Sequence, residues 1–71
     1  MSQWPSTKAR IVYRALLKNG WTFVRQVGSH RKLQHSHYPA GYTWAFADND
    51  ELGHTMLSRI AKRTGLKPSD L

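Results

Sequence analysis

The chain has 71 residues, a formal net charge of +7 at pH 7 and no cysteine. Its length allows one domain with a modest core, and the missing cysteines exclude thiol catalysis and cysteine zinc sites. No stretch approaches the roughly 20 apolar residues that span a bilayer, and the N-terminal sequence lacks the apolar core of a signal peptide. We therefore expect a soluble cytoplasmic protein that does not contact membranes. The excess of cations favours a polyanionic partner, most commonly nucleic acid.

The first predicted element is a helix over residues 6–20. Ser6 or Thr7 is the expected N-cap, and Gly20 suits the left-handed position past the helix end. Apolar residues recur at helical spacing and form one stripe, which consists of Ala9, Val12, Tyr13, Leu16 and Leu17.

Two strands follow, separated by a Gly-Ser step. β-branched and aromatic residues dominate residues 21–27 (WTFVRQV), and a glycine ends that run. The next stretch, 30–36 (HRKLQHS), keeps an extended pattern. Its alternation directs Leu33 to the core and leaves His30 and Lys32 facing solvent.

The remaining sequence predicts a third strand and a second helix. A proline and a glycine mark residues 37–41 as a turn, so the third strand covers 42–47 (YTWAFA). A polar loop over 48–53 then leads to a helix over 54–65, which ends in a glycine. Pro68 is expected to begin a last turn.

This order, α-β-β-β-α, predicts a small α+β domain. Short turns favour a three-stranded antiparallel sheet, and both helices must then cover the same face of it. Trp21 and Trp44 are expected in the core. The other face of the sheet stays open, and it carries His30 and Lys32, which makes it a place for a ligand.

Two stretches of the chain resemble the HicA family, the mRNA interferases of bacterial toxin–antitoxin pairs. They are residues 16–35 (LLKNGWTFVRQVGSHRKLQH) and 57–66 (LSRIAKRTGL), and the basic strand with the Gly-Ser-His step is the most specific part. The resemblance implies a fold like a double-stranded RNA-binding domain and metal-independent cleavage of mRNA. It also implies one HicA-like domain over 1–71, no cofactor, and a HicB-like antitoxin that covers the site.

Carried over by position, the resemblance makes His30 the catalytic base, with Gly28, Ser29 and Lys32 in the RNA-binding site. Histidine titrates near neutrality, so it can accept the proton of a 2′-hydroxyl. Gly28 offers room for a phosphate or a positive φ. The backbone N–H groups of Gly28 and Ser29, with the Lys32 ammonium, can hold phosphate oxygens. The structural alternative is that Gly28 only makes a turn and His30 is an ordinary surface residue.

A second basic cluster lies near the end of the second helix. Lys62, Arg63 and Lys67 can stabilise the helix dipole by about 0.3–1 kcal/mol, or they can bind an RNA backbone. Both interpretations stay open, and Lys62 and Arg63 are predicted RNA-binding residues.

Three histidines within eight residues suggest a metal site as a rival interpretation: His30, His35 and His37. Strand alternation places His35 and His37 on the face that His30 does not share, and no cysteine or carboxylate lies near them in the sequence. No metal site is therefore predicted.

Two other functions remain open. Members of the HicA family commonly carry a Pro and a His at the end of the third strand, whereas this chain reads AFADND there, with Asp48 and Asp50. That difference favours, as an alternative, a non-catalytic RNA-binding module of the same fold. A third possibility is a protein-interaction module whose basic surface docks an acidic partner.

Overall fold

The structure, a computed structural model, describes residues 4–71. The order of its larger elements is α-β-β-β-α, which confirms the predicted α+β domain. The elements in chain order are β1 (Thr7–Lys8), α1 (Ala9–Lys18), β2 (Thr22–Val27), β3 (His30–His35), β4 (Tyr38–Trp44), β5 (Glu51–Leu52), α2 (His54–Thr64) and a 3₁₀ helix (Pro68–Asp70).

The core lies between the two helices and one face of an antiparallel sheet with strand order β2-β3-β4. Trp21 and Trp44 are both buried in it, as predicted, and so is Leu33 on the central strand. The indole N–H of Trp21 donates to the carbonyl oxygen of Thr64 at 3.2 Å, so α2 is tied to the start of β2. The opposite face of the sheet stays uncovered and is called the open face below.

Helix α1 begins later than predicted because the residues before it are extended. Thr7 and Lys8 form β1, which pairs antiparallel with β5, a short strand within the predicted polar loop over 48–53. The backbone N–H of Ala9 donates to the carbonyl of Asp50 at 2.8 Å. A loop carbonyl therefore satisfies the first helical N–H group, and the predicted capping by Ser6 or Thr7 is wrong, since the N-cap residue is Lys8 and makes no side-chain cap bond.

The apolar stripe of α1 differs from the prediction at one position. Val12 and Leu16 are buried, but Leu17 is 40% exposed and Ala15 is buried instead. Ala15 lies on one flank of the Val12–Leu16 stripe and Leu17 on the other, so the buried arc of α1 is shifted toward Ala15.

Strand β4 begins four residues before the predicted start. The turn falls at residues 36–37, so Pro39 and Gly41 are strand residues rather than turn residues. Gly41 has φ +69°, and the β3–β4 register is irregular at this point. β4 is an edge strand, where a proline can stand without removing a ladder hydrogen bond. The strand ends at Trp44, so Phe46 lies beyond it, with its ring 5.0 Å from that of Trp44.

The second helix ends as predicted. Gly65 follows it with φ +75°, and a side chain there would run into the Tyr38 hydroxyl. The last turn begins at Pro68, also as predicted. Within residues 4–71, no helix combines the length and the apolar composition of a membrane span.

Candidate nucleic-acid interface

Gly28 and Ser29 form the two-residue turn that joins β2 to β3. Val27 and His30 pair directly on either side of this turn. Gly28 has φ +61°, whereas Ser29 does not have a positive φ, and this combination is the one that a type II′ hairpin turn requires. A side chain on Gly28 would meet no atom within 4 Å. Glycine is therefore required here by its φ, and the space over the turn is open to a ligand.

His30 is exposed and lies on the open face. Its neighbour Arg31 points the other way and places its guanidinium carbon 4.9 Å from the centroid of the Tyr13 ring on α1. Leu33, two residues further along, is buried on that same helix-covered face. Within residues 4–71, the imidazole of His30 makes no hydrogen bond or ion pair, so both of its ring nitrogens can meet a ligand.

Next to His30 on the open face, two cations stand opposite each other. Arg25 on β2 pairs with Lys32 on β3, and the Lys32 ammonium donates to the Thr43 hydroxyl on β4 at 3.1 Å. Like charges directly opposite in a sheet destabilise it. An anion bound between these side chains would remove the repulsion, which makes the pair suited to a phosphate.

Arg25 was not predicted as a site residue, although the sequence contains a signal for it. A two-residue turn at Gly28–Ser29 fixes the pairing of Val27 with His30, and two steps back it places Arg25 opposite Lys32. Beyond that point a β-bulge near Val24 shifts the register. No pattern in the sequence predicts that bulge.

A shallow groove of about 420 Å³ runs over the open face. Arg25, Lys32 and Thr43 line it, together with Gln34 and Tyr42. It gives an extended ligand a path across all three strands, beginning two residues from His30.

Lys62 and Arg63 lie elsewhere. With Arg59 they project from α2 around Tyr42, where they line a groove of about 430 Å³, which is called the α2 groove below. Because α2 covers the face that carries Leu33, this groove and His30 are on opposite sides of the sheet. Burial raises the pKa of Tyr42, and the nearby charge of Arg63 partly opposes that shift. The predicted site residues therefore form two groups rather than one.

None of the described carboxylates forms an ion pair with the cations of the open face or of the α2 groove. Three of them bind neighbouring groups instead. Glu51 accepts from Lys8 at 3.2 Å in the one ion pair found within residues 4–71, and hydrogen bonds from Lys8 and Ser6 lower its pKa. Asp50 and Asp70 accept from backbone N–H groups three residues away. The cations of the open face and the α2 groove thus have no counter-ion in the described part of the chain.

His35, the middle one of the three histidines that suggest a metal site, has a structural partner at each ring nitrogen. The Nε2 atom of His35 donates to the carbonyl of Asn19 at 2.9 Å, and its Nδ1 accepts from the backbone N–H of His37 at 3.0 Å. The His35 ring also packs against Trp21. Among residues 4–71, no three His, Cys, Asp or Glu side chains are grouped as metal ligands. His35 joins the end of α1 to the β3–β4 turn.

A comparison with known families identifies the chain. A family model for the HicA toxin of bacterial toxin–antitoxin systems matches residues 9–66. The chain belongs to the HicA toxin family. It is therefore the toxin of a toxin–antitoxin pair, with an antitoxin as its partner. No curated protein and no solved structure gives a significant match.

The match to HicA begins at the first residue of α1 and ends just after α2, so it includes the Gly-Ser-His turn and both groups of cations. The segment where this chain has Asp48 and Asp50 lies beside that turn. Both aspartates line a groove of about 490 Å³ with Ser29 and Arg31, on the side of the turn away from the open face. The departure from the HicA pattern is thus local to the turn that carries His30.

Proposed function

We propose that this HicA toxin is an endoribonuclease that cleaves mRNA without a metal ion, with His30 as general base. The observation that supports it best is the exposed imidazole of His30 at the end of the sheet, beside the Arg25–Lys32 pair on the same face. An uncommitted base next to unpaired cations is the combination that cleavage of a phosphodiester through its own 2′-hydroxyl needs.

In the proposed reaction, a ring nitrogen of His30 accepts the proton of a ribose 2′-hydroxyl. The 2′-oxygen then forms a bond to the neighbouring phosphorus, and the bond from phosphorus to the 5′-oxygen breaks. The 5′-oxygen leaves with a proton from water, and the histidine returns its own proton to solvent. The products are a 2′,3′-cyclic phosphate and a 5′-hydroxyl.

Negative charge develops on the phosphate oxygens during this step. The N–H groups at Gly28 and Ser29 and the ammonium of Lys32 are the proposed donors, and Arg25 adds a second charge. Removing one such preorganised donor typically lowers the rate by about 10²–10³. The Lys32–Thr43 hydrogen bond at 3.1 Å supports this role because it restrains the ammonium in place.

A non-catalytic RNA-binding module is the second candidate. Asp48 and Asp50 favour it, because their charges lie beside the Gly-Ser turn and oppose the approach of a phosphate. In either case we propose a cytoplasmic RNA partner and a HicB-like antitoxin that covers the open face.

Induced expression in bacteria tests the proposal, with growth and total mRNA followed together. We expect wild type to stop growth and deplete mRNA, and His30→Ala to do neither. His54→Ala is the matched control, since His54 is also exposed but lies at the start of α2, and it should act as wild type. RNA binding by a wild-type protein that leaves mRNA intact would support the non-catalytic module instead.

A further inference from the structure

We propose that the α2 groove binds backbone phosphates of a single RNA strand, and that this strand continues around the β4 edge onto the open face. The inference rests on RNA being the ligand, as in the proposed function, but it concerns binding and not the cleavage step. It assigns roles to Arg59 and Tyr42 in addition to Lys62 and Arg63.

The first argument for the proposal is the charge of the α2 groove. Arg59, Lys62 and Arg63 are exposed on one side of α2 and have no ion-pair partner within residues 4–71. The helix dipole explains cations in the last turn, where Lys62 and Arg63 lie, but Arg59 lies before that turn. Three cations without counter-ions around one groove suit a ligand that carries several negative charges.

The second argument is Tyr42, because its phenol adds a neutral hydrogen-bond donor among the cations. Its ring is half-buried against the core, and the residue lines the groove with Arg63, whose charge acts on the phenol. Burial raises its pKa, so the phenol keeps its proton at physiological pH and can donate to a phosphate oxygen. The aromatic ring also offers a base a surface on which to stack.

The third argument is that the α2 groove and the open face are connected around the edge of the sheet. Tyr42 lines both the α2 groove and the groove of the open face. The next residue, Thr43, holds the Lys32 ammonium on the open face. Since β4 is the edge of its sheet, no further strand blocks the passage. A flexible single strand can therefore reach the Arg25–Lys32 pair from the α2 groove without crossing buried protein.

Binding of a labelled single-stranded RNA tests the proposal. The probe has about 12 nucleotides with 2′-O-methyl riboses, so that no 2′-hydroxyl can react, and anisotropy is followed from about 50 to 200 mM salt. The test variant removes the three charges of the α2 groove by Arg59→Gln, Lys62→Gln and Arg63→Gln. We expect at least about tenfold weaker binding and a log–log salt slope that flattens by about 2, since each phosphate contact contributes about 0.7 for single strands.

The matched control loses the same charge from the exposed side of α1, through Arg10→Gln, Arg14→Gln and Lys18→Gln. These residues line neither groove, so affinity and slope should stay close to wild type. Tyr42→Phe should weaken binding by about fivefold, through one lost hydrogen bond, and leave the slope unchanged. Equal losses in both triple variants, or wild-type binding by the α2 variant, would overturn the proposal.

The binding assay and the cleavage assay can fail separately. The α2 variant is assayed for binding of the probe, and His30→Ala is assayed for cleavage. If that variant still cleaves RNA, the proposed function fails and the α2 result stands. If the α2 variant binds normally while His30→Ala abolishes cleavage, the α2 proposal fails and the proposed function stands.

Discussion

Charged side chains are arranged differently at the β1–β5 end of the molecule and on the open face. At the first, Lys8 and Glu51 form an ion pair at 3.2 Å, and Arg10 donates to the side chain of Asn49 at 2.9 Å. On the open face, Arg25 and Lys32 stand opposite each other without a carboxylate. In the first region, charge holds a loop to the start of α1. In the second, the fold keeps two like charges on neighbouring strands, and an anionic ligand would relieve their repulsion.

The comparison predicts that two lysines of equal charge have unequal roles. Lys32→Ala should slow RNA cleavage by about 10²–10³, since it removes a donor to the phosphate, and should flatten the salt slope of binding by about 0.7. Lys8→Ala should change neither. Cleavage rates and salt titrations of both variants are the measurement, and equal effects would mean that position on the open face does not matter.

A substitution of Arg25 should change RNA affinity and folding stability in opposite directions, which separates the two regions further. Arg25→Gln should lower RNA affinity by about fivefold and flatten the salt slope by about 0.7. It should also raise the free energy of unfolding by about 0.2–1 kcal/mol, because the like-charge pair with Lys32 is lost. Urea unfolding beside RNA titration measures both changes. A less stable variant would show that Arg25 contributes to the fold, as the cations near β1 do.

Acid should weaken the β1–β5 end in a way that depends on Glu51. The pKa of Glu51 is lower in the folded chain than in the unfolded one, so the unfolded chain binds this proton first as pH falls. The stabilisation is therefore complete above the ordinary carboxyl pKa and is lost as pH falls through the folded value. Thermal unfolding from about pH 6 to about pH 3 should show a steeper loss for wild type than for Glu51→Gln. Parallel curves would contradict a stabilising role for the pair.

The smallest expected effect is that of a chelator. Both ring nitrogens of His35 are bonded within the fold, and the described chain presents no cluster of metal ligands near His30. Cleavage in excess EDTA should therefore match cleavage without it. Loss of activity that a divalent ion restores would require a metal bound by other groups.

Much of the fold follows from local chemistry. The positive φ at Gly65, the turn at Pro68 and the buried Trp21 and Trp44 were all predictable from residue type and spacing. The pairing of β1 with β5 was not, because two short segments that lie far apart in the chain carry no periodicity of their own. The early start of β4 was missed because Pro39 and Gly41 favour a turn unless they stand on an edge strand.

The candidate site, like the fold, has one part that the sequence predicts and one part that it does not. Strand alternation correctly placed His30 and Lys32 on the face opposite Leu33, because the pleat of a strand fixes sidedness. Their roles in RNA cleavage stay a prediction. That Lys62 and Arg63 lie on the other side of the sheet depends on how α2 packs, and a single sequence does not specify that packing.

Single-turnover cleavage of RNA by purified protein tests the central claim, that the open face cleaves RNA through His30. A general base contributes about 10²–10⁴ to the rate, so His30→Ala should cleave that much more slowly than wild type, with an unchanged melting temperature. His54→Ala should cleave at the wild-type rate, and the wild-type product should end in a 2′,3′-cyclic phosphate. Wild-type cleavage by a folded His30→Ala protein, or no cleavage by wild type itself, would contradict the account.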